Sequence, residues 1–305
     1  MAEFTWFFLA VIGPFLYALT NHIDKHLLST YFREGGVPVL IIYSALLSIC
    51  VLPVALWVDP SVLSVDTENA VVLGGVAVID VILLWAYLTA LSEDEPTVVI
   101  IYYQLIPVLG LGLGYFILGE TITEIQLVAM AIIIGGALFI SFEMNEKGIV
   151  FKKRTAGLML IACTCWALEM TIFKKVALEE NVWRSLFWEC LVLSCIGIGL
   201  ITLVPKYRNY FFTQFKKNSA AVVSLNVVNE GLYIVGNLTG AFAAMLAPVA
   251  LVLLINCFQP MFVLVIGILI AVFFPKLATE KHTRRGLAQK VIAIAITGAG
   301  TYLLL

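Results

Sequence analysis

Charge is scarce in this sequence. Only 12% of its 305 residues are Asp, Glu, Lys or Arg, about half of what a soluble domain carries. No His-Glu-x-x-His, Gly-x-Ser-x-Gly or Walker sequence occurs, so an intramembrane protease or an ATP-driven pump has no visible machinery, and no cofactor is expected. There is no basic tail, and a net charge of −2 gives no ground for a nucleic-acid partner. The six cysteines lie in apolar stretches without metal-ligand spacing; Cys163 and Cys165 fall on different helix faces. They read as packing thiols, with neither a metal site nor a disulfide framework implied. The first twenty residues lack a basic n-region and a small-residue cleavage site, so they read as a first span rather than a removed leader.

What is abundant is apolar surface: 62% of the chain is hydrophobic and its mean hydropathy is +1.03. These values describe an integral membrane protein in a lipid bilayer. Ten runs are long enough to cross the hydrocarbon core: 5–28, 37–57, 70–91, 97–118, 124–142, 156–177, 182–204, 220–246, 248–274 and 288–305. Residues 205–219 are basic and aromatic, as expected of an interfacial segment on an anionic leaflet.

The halves repeat in order. Tyr17-Ala18-Leu19 matches Trp166-Ala167-Leu168, which sets Lys25 on Lys174. Val37 and Ser48 match Val182 and Ser194; Leu88-Thr89 matches Leu238-Thr239; Pro96 matches Pro248 after two inserted residues. Ile106-Pro107 matches Gln259-Pro260, and Gln126 with Gly135 matches Gln289 with Gly298. Five crossings are an odd number, so a tandem copy inserts upside down. The expected fold is all-α: ten transmembrane helices as two inverted five-helix repeats, 1–146 and 147–305. Connections after spans 1, 5, 7 and 9, with their helix ends, hold fifteen of the 18 Lys and Arg; the other side holds Lys174, Lys175 and Arg184. The more basic side is cytoplasmic by the positive-inside rule, which leaves both termini outside.

Within 220–246 runs a polar stripe. Asn226, Glu230, Tyr233 and Asn237 are three or four residues apart and share one helix face. The repeat sets Asp80 against Glu230. A carboxylate at membrane depth is costly unless it faces a bundle interior or a wet cavity. The functional reading is a proton-coupling or cation-binding group; the plainer reading is packing, with Asn226, Asn229 and Asn237 as partners. Glu169 lies deep in span 6 with no basic residue within a helical turn, and joins the site candidates. Glu189 is either a site residue or an ion-pair partner of Arg184. His22 and His26 have a spacing that can hold a metal, but a wet helix end with Asp24 and Lys25 solvated explains them better. Asn21, a turn deeper, is placed at the cavity mouth. Tyr102, Tyr103 and Gln104, and Asn256 and Gln259, precede the two matched prolines, each of which frees a carbonyl one turn back. Trp85, Trp166 and Tyr233 are candidate aromatic walls for a cationic or ring-bearing ligand.

Leu105-Ile106-Pro107-Val108, then Leu118-Gly119-Glu120-Thr121-Ile122-Thr123, Gln126 and Gly135-Gly136, resemble the EamA family of the drug/metabolite transporter superfamily. The second half keeps Gln259-Pro260 and Gln289 with Gly298, but has Phe274-Pro275-Lys276 where the Leu-Gly-Glu element would stand. The resemblance implies ten helices around a central cavity worked by alternating access, with export the commoner direction. Glu120 reads as a cap for span 5. The expectation is therefore a secondary transporter of a small-molecule substrate in the inner (plasma) membrane, not an enzyme. Four buried acids, Glu230, Asp80, Glu169 and Glu189, favour a cationic or zwitterionic substrate, coupling to a proton or another ion, or both. The alternatives are a flippase for a lipid-linked headgroup, which needs a lateral opening, and a non-transporting membrane enzyme or sensor.

Overall fold

The computed structural model describes residues 4–32, 36–94, 99, 102–141, 153–217, 219–273, 292 and 295–303. No strand occurs among them. The helical rods in chain order are α1 (Thr5–Tyr31), α2 (Val37–Val58), α3 (Thr67–Glu93), α4 (Tyr102–Leu118), α5 (Glu124–Ser141), α6 (Lys153–Glu179), α7 (Val182–Leu203), α8 (Pro205–Lys217), α9 (Ser219–Leu246), α10 (249–273) and α11 (295–303). Six of these, α1, α2, α3, α6, α7 and α10, are long and apolar enough to cross a membrane by length and composition. The rod beyond the ten expected is α8. It follows α7 after Val204 and carries Lys206, Arg208, Phe212 and Phe215 on exposed positions, while Phe211 is buried against Tyr43.

Local chemistry sets the breaks. In α4, Tyr102–Leu105 is a 3-10 turn with Pro107 next in the following α segment. In α10, Asn256–Phe258 is a 3-10 turn followed by Pro260. Proline has no N–H to continue the ladder, so the preceding turn tightens. Gly119 ends α4 at φ 66°, a left-handed conformation that glycine adopts without penalty. That turn explains the Leu-Gly-Glu motif, because it sends Glu120 back across the bundle. Contrary to the reading of the sequence, Glu120 does not cap α5. Its Oε2 accepts the Val249 N–H at the start of α10 at 2.7 Å, and its Oε1 takes the Lys174 ammonium at 2.5 Å. Lys174 also donates to Ala247 O at the end of α9 at 2.8 Å.

Lys25 is likewise not a solvated helix end. It donates to Leu91 O at 2.9 Å and Asp94 O at 2.8 Å, where α3 finishes. Beside it Arg154 pairs with Glu93 at 3.0 Å, so α1 and α3 end where α6 begins. At the opposite end, the α2–α3 connection is tied to the α6–α7 turn. Asn181 accepts the Arg184 N–H at 2.9 Å and donates to Asp59 at 2.9 Å. Arg184 pairs with Asp59 and Glu180, each at 3.3 Å.

The principal packing partners are α1 with α9, α3 with α6, α2 with α7, α1 with α10, α4 with α6, and α4 with α10. α5 meets α11 where Gly136 faces Thr297. Of the features expected from sequence, the boundary at 146, Pro96, Gln289, Phe274-Pro275-Lys276 and the basic residues Arg33, Lys147, Lys152, Lys281, Arg284, Arg285 and Lys290 lie outside the described residues.

Candidate functional site

Two chambers lie between the helices. The first, about 600 Å³, sits toward the end where α1 and α3 finish and is lined by Asn21, Asp24, Tyr87, Asn229 and Gln259 among others. The second, about 750 Å³, sits toward the α6–α7 turn and is lined by Ser48, Asp80, Glu169, Glu189 and Asn237. Four residues face both: Ser44 of α2, Leu84 of α3, and Glu230 and Tyr233 of α9.

At the junction, the Ser44 hydroxyl donates to Glu230 Oε1 at 2.5 Å. One turn along α9 from Glu230, Tyr233 donates to Asp80 Oδ1 at 3.3 Å. Tyr17 donates to Asn237 Oδ1. In the first chamber, Asp24 accepts from Asn229 Nδ2 at 2.8 Å, with the Tyr87 hydroxyl at 3.3 Å. Asp24, Asp80, Glu169, Glu189 and Glu230 thus place five carboxyl groups around the two chambers, and no Lys, Arg or His lines either among the described residues. The buried base, Lys174, is occupied by Glu120. Such a lining attracts protons and cations and repels free anions.

An aromatic belt closes the first chamber. Ring centroids are 5.7 Å apart for Tyr233 and Tyr17, 5.5 Å for Tyr17 and Trp166, 5.3 Å for Trp166 and Tyr103, and 6.3 Å for Tyr103 and Tyr87. Five helices contribute one ring each.

Of the sequence candidates, the structure gathers Glu230, Asp80, Glu169, Tyr233, Asn237, Asn21, Tyr103 and Trp166 around the chambers. It leaves three out. Asn226 is buried, but its amide donates to Val222 O on its own helix at 2.7 Å. Asn256 is buried in the 3-10 turn of α10 and lines neither chamber. Trp85 is 47% exposed on the outer face of α3, so it is no cavity wall; helix phase, which the repeat did not fix for this residue, turns it outward. Glu189 lines the second chamber and is not the partner of Arg184. Asp24 is buried rather than solvated. His22 contacts Val263 O at 3.2 Å and His26 contacts Thr30 at 3.4 Å; no group of three or more potential metal ligands converges among the described residues. Sequence reasoning missed Tyr17, Ser44 and Tyr87, which look like ordinary residues of apolar helices. For Tyr17 the match to Trp166 was the available signal.

Outside the spans, Asp59 and Glu180 are held below the usual carboxylate range. For Asp59 the Ser61 hydroxyl, the Asn181 amide, the Ser61 N–H and Arg184 stabilise the charge. For Glu180 the Asp66 N–H, Asn69 and Arg184 do so.

Residues 4–142 match the sequence model of the EamA-like transporter family, part of the drug/metabolite transporter superfamily. The resemblance read from the sequence is borne out over that stretch. One solved structure, described as "Crystal structure of protein", superposes with a TM-score of 0.66 over 99% of this chain and 95% of its own, at 16% identity. At that identity the likeness is one of fold. No curated protein matches the chain. The family and the long apolar helices make this a multi-pass membrane protein, and the family points to a membrane transporter with a small-molecule substrate.

Proposed function

We propose that the chain is a secondary transporter in the inner (plasma) membrane. It moves a cationic or zwitterionic metabolite by alternating access, exchanged for protons at Glu230, with export the favoured direction. The carrying observation is that the two chambers, displaced toward opposite ends of the bundle, share Glu230 and Ser44. A carboxyl at that junction can meet the cargo from either side. A proton and a cationic cargo are alternative counter-charges for that carboxyl. Competition for one carboxyl couples the two fluxes, provided the site faces one side at a time.

Pairing of the helices supports an inverted repeat of five plus five spans, with α8 as an interfacial rod. Exchanging α1 with α6, α2 with α7, α3 with α9, α4 with α10 and α5 with α11 leaves the principal packing pairs unchanged. Ser48 and Ser194, matched by the repeat, meet each other at 2.9 Å, as residues near a twofold axis do. Lys25 and Lys174, also matched, each bond the last carbonyls of the third helix of their own repeat. Two opposed copies suit alternating access and have no evident use in an enzyme or sensor.

Glu230→Gln keeps shape and hydrogen bonding while fixing the neutral state. In proteoliposomes with an imposed pH gradient it is expected to insert normally and lose gradient-driven accumulation. Undiminished, still pH-driven transport rules Glu230 out and leaves Asp80 or Glu169 as the coupling group.

A further inference from the structure

Proton exchange at Glu230 leaves one wall of the first chamber without a task. Asn21, Asn229 and Gln259 reach it from α1, α9 and α10 and are 3%, 5% and 1% exposed. Each keeps a polar atom with no hydrogen-bond partner among the described residues: Asn21 Nδ2, Asn229 Oδ1 and Gln259 Oε1. Asp24 sets the orientation of the Asn229 amide, and the Tyr87 hydroxyl holds that of Asn21. Tyr87 donates to Asn21 Oδ1 at 2.7 Å, which leaves the Asn21 nitrogen as a donor. Asn229 Nδ2 donates to Asp24 at 2.8 Å, which leaves the Asn229 oxygen as an acceptor. An unpaired buried amide is costly, and three at one cavity beside five aromatic rings make a recognition surface rather than a packing fault.

We infer that the first chamber recognises a planar aromatic amine or nitrogen heterocycle. Its ring lies against the belt formed by Tyr17, Tyr87, Tyr103, Trp166 and Tyr233. Its N–H donors go to Asn229 Oδ1 and Gln259 Oε1, and an acceptor atom on the ring takes Asn21 Nδ2. This narrows the cationic or zwitterionic cargo proposed above to one whose N–H groups sit on an aromatic ring, and it rests on the transport reading only in taking that ligand to be the cargo. A quaternary ammonium ion offers no N–H to the two oxygens. An aliphatic amine offers no flat face to the rings. A site built to receive N–H groups discriminates strongly against analogues that lack them, because its own polar atoms are then left unpaired.

The test is isothermal titration of the full chain in detergent micelles with 2-aminoquinoline in alkaline buffer, where its ring nitrogen is an unprotonated acceptor beside the N–H donors. Saturable binding is expected, and tetraethylammonium and cyclohexylamine at equal concentration should not displace it. Gln259→Met keeps side-chain length and removes the acceptor, and should weaken binding at least tenfold; Asn21→Ala should do the same, so a folding failure in one variant leaves the other to decide. Absence of saturable binding to folded protein, equal binding of either control, or unchanged affinity in the folded variants overturns the assignment. Selective binding without flux in proteoliposomes would leave this site standing and sink the transport reading. Flux of a cargo that 2-aminoquinoline does not inhibit would do the reverse.

Discussion

Lys174 is held among apolar helices by two groups, the Glu120 carboxylate and the Ala247 carbonyl. Its side chain is 7% exposed and that of Glu120 is 17% exposed, and the pair also satisfies the first N–H of α10 and the last carbonyl of α9. Removing one member of a buried pair strands the other, at a cost of about 3–5 kcal/mol. Lys174→Met should therefore lower the melting temperature in detergent sharply. Adding Glu120→Gln should recover part of the loss, since the glutamine oxygen still accepts from Val249. A double variant no more stable than Lys174→Met would mean that Glu120 is not stranded by the single change. The chamber acids differ from Glu120 in this respect. Ser44, Tyr233 and Asn229 give Glu230, Asp80 and Asp24 neutral donors, which leaves their charge to be balanced by a proton or a cargo.

Two elements turn these residue contacts into helix placement. The first is the α5–α11 crossing. A Cβ on Gly136 would meet Thr297 Oγ1 at 2.6 Å and Thr297 N at 3.1 Å, whereas one on Gly135 would meet nothing within 4 Å. Gly136→Ala is expected to destabilise by about 1–3 kcal/mol through overpacking, while Gly135→Ala should be neutral or stabilising by up to about 1 kcal/mol from helix propensity. Thermal melts of the two variants check this, and equal melting temperatures would refute the crossing. The second is the clamp of Asp59, Asn181, Arg184 and Glu180 between the α2–α3 connection and the α6–α7 turn. Carboxyls held below their usual values favour the folded state above about pH 4, and that contribution disappears as the pH falls through the depressed values. Stability should be insensitive to these groups between neutral pH and about pH 5 and fall in stronger acid, and Asp59→Asn should flatten that acid limb. An acid limb unchanged in Asp59→Asn would assign it to other carboxyls.

For the whole molecule, the distribution of Lys and Arg predicts which end faces the cytoplasm. The ends of α1 and α3, the start of α6, and α8 lie on the basic side, and the clamp and the Lys174–Glu120 pair on the other. With the native cysteines replaced, Asn209→Cys on α8 should react with an impermeant maleimide only after the cells are permeabilised, and Leu63→Cys in the α2–α3 connection should react from outside. The opposite pattern would show that the count of Lys and Arg misleads here. Apolar run lengths, the duplicated order of motifs and the Leu-Gly-Glu turn were enough, from sequence alone, to establish a helical membrane protein, its EamA-like first half, and Glu230, Asp80 and Glu169 as its unusual acids. These are legible because hydrocarbon tolerates so few polar side chains that each one stands out. The tertiary structure decided which polar groups face one another. Ser44 and Tyr87 carry no signal in an apolar helix, Tyr17 only its match to Trp166, and Trp85, Asn226 and Asn256 carry a misleading one. A side chain's facing depends on helix rotation and on the neighbour packed against it, and only the assembled bundle fixes both.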